Sequence, residues 1–406
     1  RIFTWGYNSS GQLGDGTTIE RYLPTEIKYK INIDKDFSID SIDNYLSFIS
    51  LGYHHSAAIT SKGRVFTWGN NWFGQLGDSS IIGKYNPTDI TNKFVLKSGE
   101  KVIDITLGED HSAAITSEGR IFTWGNNEYG QIGDGTFDDK NTPTEITDKF
   151  ALQDGEKIIN IRLGSLHTVA ITNEGRIFTW GNNEYGQIGD GTFDDKNTPT
   201  EITDKFALQD GEKIIEVNLG YYHSAALTNF GRVFTWGDNG DGQLGDGTGE
   251  DKITPTEITD KFILQDEEKV VEVTLGFCHS AAITSEGRVF TWGGNWIGQL
   301  GDGTFNDKNT PTEITDKFAL QDGEKVIDVT LGRFHSAAIT SEGRIFTWGN
   351  NGNGQLGDGT FDDKNTPTEI TAKFTLRDEE KVIEVSLGYN HSAVLTNFGR
   401  VFTWGN

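Results

Sequence analysis

Residues 107–125 read Leu-Gly-Glu-Asp-His-Ser-Ala-Ala-Ile-Thr-Ser-Glu-Gly-Arg-Ile-Phe-Thr-Trp-Gly. The last four residues recur eight times along the chain, with tryptophans at Trp5, Trp68, Trp124, Trp180, Trp236, Trp292, Trp348 and Trp404. The first spacing is 63 residues and each later one is 56. Leu-Gly-x-x-His recurs seven times at the same period, giving His55, His111, His167, His223, His279, His335 and His391. The chain's seven prolines, from Pro24 to Pro367, also fall one to a unit. A fixed period of this length marks a supersecondary unit that buries its core only by stacking on its neighbours. Residues 118–159 and 174–215 are identical, which indicates internal duplication. The one change of length is seven extra residues between Pro24 and Leu51, around Asn32–Asp43.

One copy shows the local structure of all. Lys101–Leu107 is a β-branched run, and His111–Thr116, Arg120–Trp124 and Pro143–Ile146 follow as three more short segments punctuated by glycine. Ser117-Glu118-Gly119 is short enough for a hairpin. Proline at the start of the fourth segment lacks a ladder donor and predicts a sheet edge. Four antiparallel strands repeated radially make a propeller blade, so the expected fold is an all-β, seven-bladed propeller over residues 1–406. Both ends of the chain supply a third strand, Arg1–Trp5 and Arg400–Trp404. The seventh blade is therefore expected to be shared between the amino- and carboxy-terminal segments, with one terminal strand surplus.

Composition removes several function classes. Among 406 residues, 60 acidic side chains against 35 basic ones give a net charge of −25. The acidity is distributed: residues 121–176 alone carry nine acidic and five basic groups. Such a chain with no basic block is not expected to wrap nucleic acid or dock on an anionic membrane. A single cysteine, Cys278, excludes a disulfide framework or a cysteine zinc site. No apolar run approaches the ~20 residues of a membrane span.

Gly-Arg-Ile-Phe-Thr-Trp-Gly-Asn-Asn, Gly-Gln-Ile-Gly-Asp-Gly, Pro-Thr-Glu-Ile and Leu-Gly-x-x-His-Ser-Ala-Ala-Ile-Thr together resemble the repeat of the regulator of chromosome condensation, the exchange factor for the small GTPase Ran. The resemblance covers essentially the whole chain. It implies a seven-bladed propeller with the Leu-Gly strand innermost and the proline strand outermost. It also offers one function, regulation of a Ran-like GTPase. That activity depends in the family on a wedge-like insertion from one blade, whereas six of the seven units here have equal length. The plainer secreted bacterial propellers of this type, a β-lactamase inhibitor protein among them, bind a protein partner through one face of the ring. With the absent initiator methionine and lone cysteine, that likeness favours a cell-surface or secreted location over a cytoplasmic one.

The candidate chemistry is sparse. Seven histidines at one blade position are spread around a ring and do not converge as metal ligands must, so each is expected to tie an inner turn to its own blade. Phe-Thr-Trp-Gly reads as core between adjacent blades. The loop Gly133–Asn141 carries carboxylates, but not at the alternate spacing of a calcium loop, and a solvated turn is the plainer reading. No nucleophile elbow or phosphate loop occurs, and no catalytic residue, metal or cofactor is expected. One inner-strand position reads Phe48, Asp104, Asn160, Glu216, Glu272, Asp328, Glu384. These carboxylates are expected to line a wet channel, with attraction of cations as the sharper alternative.

The copies differ mainly in two places. The pair before each histidine supplies Tyr53, His54, Tyr221, Tyr222, Phe277, Arg333, Phe334 and Tyr389, and the pair after each tryptophan motif supplies Trp72, Phe73, Tyr129, Tyr185 and Trp296. In an antiparallel blade the first turn and the third emerge at the same end, so both pairs are expected on one face. Drift at tolerant turns would scatter polar residues, whereas these are the large rings and arginine that anchor interfaces. The reading is a non-catalytic binding propeller that holds a protein, or alternatively a glycan, on these residues.

Overall fold

The computed structural model describes residues 3–27 and 46–405, and the insertion around Asn32–Asp43 lies outside the described residues. The fold is a seven-bladed β-propeller of antiparallel four-stranded blades on the 56-residue repeat. The chain divides into two compact units. The first, Arg1–Glu184 with Phe193–Thr203, holds three complete blades spanning 46–89, 102–145 and 158–201. It also holds a two-stranded sheet in which Phe3–Gly6 pairs with Arg21–Glu26. The second, Tyr185–Thr192 with Asp204–Asn406, holds three complete blades spanning 214–257, 270–313 and 326–369, then a three-stranded sheet over 382–405. The two terminal copies of Phe-Thr-Trp-Gly thus pair in different sheets.

Strand positions follow the sequence closely, with one correction. In the copy read above, the strands are Val102–Leu107, His111–Thr116, Ile121–Gly125 and Lys140–Glu145. The fourth begins three residues before Pro143, so the proline sits mid-strand. This is tolerated because the strand is outermost and its register to the third is irregular between Lys140 and Thr144, where no ladder donor is required. The second and third strands are buried on both faces, unlike an amphipathic surface strand. Each is flanked by strands of its own blade and covered by the neighbouring ones.

Cores form between adjacent sheets. Ala57, Ile59, Val65, Ile90 and Phe94 of one blade pack on Val102, Ile105, Ala114, Phe122 and Trp124 of the next. Phe94 meets Trp124 edge-to-face at 5.6 Å. Burying an indole of this kind removes roughly 150–250 Å² from water, or about 4–6 kcal/mol.

A hydrogen-bond latch fixes where each indole goes. The Gln75 carbonyl accepts from Trp124 Nε1 at 2.9 Å and from Ser112 Oγ at 2.9 Å, both in the following blade. His55 Nε2 lies 3.0 Å from the same Ser112 Oγ. The hydroxyl has one proton and gives it to Gln75, so the histidine must donate, which leaves Nδ1 unprotonated and without a donor. The arrangement recurs in each unit, for example with Gln243, Trp292, Ser280 and His223. The histidine therefore does not tie the turn to its own blade, as the sequence suggested. The Gly108 N–H closes that turn onto the His111 carbonyl at 2.9 Å, which frees the imidazole to cross to Thr168 of the next blade.

The loop after each third strand is organised by one asparagine. Asn127 accepts from the Ile132 N–H and donates to the carbonyls of Thr136 and Asp138. Asp134, the first carboxylate of the suspected calcium loop, accepts from the Thr136 N–H and hydroxyl and pairs with Lys140 at 3.0 Å. Burial pushes its pKa up, but these contacts outweigh burial and hold it below the usual range. The lysine occupies the place a cation would take. At the other end of the blade, Arg120 pairs with Glu100 and Glu145 and stacks on Phe122 at 5.0 Å.

The latch makes two expectations. A Cβ on Gly108 would lie 2.6 Å from His111 Cε1 and 2.8 Å from the Gly164 carbonyl, and backbone at that distance cannot yield cheaply. Gly108→Ala is therefore expected to lower the thermal midpoint by several degrees, and Gly352→Ala, where nothing lies within 4 Å, to leave it unchanged. Burial also holds His55, His111, His167, His279 and His335 neutral, with pKa values of about 3. Their unfolded pKa of about 6.5 is higher, so their contribution is complete above pH 6.5 and is lost as pH falls toward 3. Raised carboxyls, Asp110 at about 6 and Glu272 at about 7 among them, work in the opposite sense and offset part of this loss. The urea midpoint is expected to drop steadily from pH 7 to pH 5, and a flat profile would contradict the neutral latch.

Candidate functional site

Main-chain bonds bring the two variable pairs of each blade together. The turn between first and second strands and the start of the third-to-fourth loop lie side by side, joined by Asn70 N–H to the His54 carbonyl, Asp238 N–H to Tyr222, Gly294 N–H to Cys278 and Asn350 N–H to Phe334, all at 2.8–3.0 Å. The second residue of each loop pair is pinned as well. Tyr129, Tyr185 and Ile297 donate their N–H groups to Gln131, Gln187 and Gln299 side chains at 2.9–3.0 Å. Both segments are held by these bonds, and their variable side chains play no part in the latch.

In the second unit the rings form one connected series. Tyr185 lies 4.9 Å from Tyr222, Tyr222 lies 4.4 Å from Tyr221, and Tyr221 lies 4.3 Å from Phe277. Phe277 contacts Phe334 at 5.3 Å, and Phe334 contacts Trp296 at 5.7 Å. Arg333 stacks on Phe277, Phe334 and Tyr389 at 5.0, 4.7 and 3.9 Å from their centroids. Trp296 is 46% exposed, and the other rings of the series are half-buried. In the first unit, Tyr53 lies 4.6 Å from His54, and Tyr7 lies 6.3 Å from it. Trp72 is the most open of the predicted anchors at 75% exposure, while Phe73 and Tyr129 are half-buried. Every predicted residue thus stands at these loop ends, and the structure joins eight of them in one series within the second unit.

Charge lies close by. Burial pushes the Asp238 and Asp241 carboxyls up, and the neighbouring Asp251 and Asp307 add to this by repulsion. Burial, together with Asp241, also pushes the Cys278 thiol up, so it is no nucleophile at neutral pH. Sequence reasoning passed over this acidic group and Tyr7. The signal was available: Asp238 stands where other copies have Asn70, Asn126, Asn182 and Asn350. Asn70 accepts a bond from Gln75 there.

Three inner-strand carboxylates, Asp104, Glu272 and Asp328, are partly desolvated. Burial pushes Glu272 up to about 7, with Asp328 and Glu216 adding repulsion, and burial with Glu384 raises Asp328. Among the described residues no group of three or more His, Cys, Asp or Glu side chains is arranged to hold a metal. A carboxyl raised in the folded state costs stability once it ionises. Glu272→Gln is accordingly expected to raise the urea midpoint at pH 8.5 and to change it little at pH 5. An equal effect at both pH values would contradict the raised pKa.

Residues 1–266 match the pattern of an RCC1-like domain, and residues 286–339 and 342–395 match the regulator of chromosome condensation (RCC1) repeat. The chain belongs to the RCC1-like propeller family. It is 31% identical over 376 residues to the ultraviolet-B receptor UVR8 of Arabidopsis thaliana, covering 91% of this chain and 78% of that protein. It is 32% identical over 340 residues to the mouse E3 ubiquitin-protein ligase HERC2, covering 83% of this chain but 6% of the ligase. Among solved structures, human WBSCR16 superposes with a TM-score of 0.74 at 23% identity, covering 100% of this chain and 99% of that one. Saccharomyces cerevisiae Prp20p, described with its binding to Gsp1p and histones, gives 0.71 at 23% identity, covering 97% and 90%. These two likenesses speak for the fold alone. No helix among the described residues is long and apolar enough to cross a membrane.

Proposed function

We propose that this chain is a non-catalytic recognition propeller that holds a protein partner on its variable loop ends. The observation that carries the reading is the connected series from Tyr185 to Trp296, built on residues the latch does not use. Clustered rings with one arginine are the composition that dominates interface energetics. Their place at the loop ends is not needed to close the cores between sheets, which are filled by the repeated Phe, Trp, Ile and Val. The acidic surroundings set the partner's charge and its encounter rate. The exchange-factor reading has no observation of its own in the described residues.

The test begins with a pull-down on the intact chain and identification of the protein it retains. Replacing Tyr222 and Trp296 together by alanine is expected to leave the melting curve unchanged and to weaken that partner at least roughly tenfold, the loss of one modest hot spot. Unaltered affinity would refute the assignment.

A further inference from the structure

Most arginines of this protein have carboxylate partners. Arg120, Arg176, Arg232, Arg288 and Arg344 each pair with two glutamates, and Arg400 pairs with Glu380. In a chain with 60 acidic side chains, a guanidinium finds an anion readily. Arg333 has none. Among the described residues it makes neither an ion pair nor a hydrogen bond, and its Nε is buried with no acceptor. Its only neighbours of note are the rings of Phe277, Phe334 and Tyr389. Ring faces take up the plane of a guanidinium and leave its N–H edge free. Both Nη groups are absent from the buried unpaired atoms and have no protein partner, so they reach solvent.

We propose that Arg333 is the receptor for a carboxylate, that of an aspartate or glutamate side chain within a segment of the protein partner. The inference rests on the loop ends being the binding surface and names what they recognise. Three rings hold the guanidinium and cover its faces, so a carboxylate meeting its open Nη edge forms a charge-assisted, two-pronged contact without first having to order the arginine. The source is a side chain and not a chain terminus because the apolar platform continues on both sides. Tyr221 extends it beyond Phe277, and Trp296 extends it beyond Phe334, so the bound segment has rings to cover before and after its acidic residue. The net charge of −25 repels acidic proteins at long range. The fitting partner therefore presents one acidic side chain between apolar residues on an otherwise neutral or basic surface.

Two blocked tripeptides, acetyl-Phe-Glu-Phe-amide and acetyl-Phe-Gln-Phe-amide, test this on the full chain. They are titrated against the arginine Nε–H resonances, with the Arg333 signal assigned from its loss in Arg333→Lys. The glutamate peptide is expected to shift that resonance saturably and to bind at least roughly tenfold tighter than the glutamine peptide. In Arg333→Gln this preference should vanish, and in Arg333→Lys, which keeps the charge but not the fork, it should fall severalfold. Equal binding of the two peptides, or a preference that survives in Arg333→Gln, would overturn the proposal. If the retained partner weakens with the Tyr222 and Trp296 replacements while the peptides bind equally, this inference alone fails. If that pair of replacements has no effect, the wider reading of the surface fails whatever the peptides do.

Discussion

The main-chain carbonyl of one glutamine per repeat is the point on which neighbouring blades turn. It accepts the indole N–H and the serine or threonine hydroxyl of the next blade, as Gln131 does with Trp180 and Thr168 and Gln299 does with Trp348 and Ser336. A carbonyl has two lone pairs, and both are used, so a buried acceptor is fully satisfied by groups from a neighbouring sheet. Each bond contributes about 1 kcal/mol, less than the burial of the ring it positions. The ring supplies the energy, and the bonds determine its placement.

This constraint explains why the repeats are uniform where they are. The glycine before each histidine, the histidine, the hydroxyl two strands' contact away and the tryptophan are one machine, and a change in any part leaves a buried polar atom unpaired or a methyl against backbone. The glycine that follows Gln131-Ile132 shows the same logic. Gly133, at φ +80°, brings the loop against the Trp180 indole, where a Cβ would lie 2.6 Å from Nε1. The residues before the histidine and after the Trp-Gly-Asn-Asn stretch meet no such demand. Their main chains are held and their side chains are free to vary.

Electrostatics sharpen that division. Carboxylates with structural work, such as Glu156 beside Arg176, are held below their ordinary pKa because hydrogen bonds and the guanidinium outweigh the burial that pushes them up. Asp238 and Asp241 at the loop ends and Glu272 on an inner strand are instead raised, and burial is the largest cause. The first group stabilises the blade; the second costs stability when ionised. Arg333 is surrounded by rings and, among the described residues, has no ion-pair partner.

The repeat period, the four short segments of each unit and the proline edge were legible in the sequence because they depend on periodicity and turn chemistry, which are local. The thirteen loop residues were legible too, since seven near-identical copies make every departure visible. The histidine's true partner was not. Ser112 lies 57 residues beyond His55, and only packing of one sheet on the next determines that the imidazole reaches across instead of back. Pro143 fell mid-strand because the outermost strand starts three residues before it, at Lys140, where the register to the third strand is irregular. The joining of Tyr185, Tyr221, Tyr222, Phe277, Phe334 and Trp296 into one series, and the absence of an ion pair at Arg333 among the described residues, likewise follow from spacing between sheets. Sequence shows which side chains a loop carries; the distance and angle between neighbouring blades decide which of them touch.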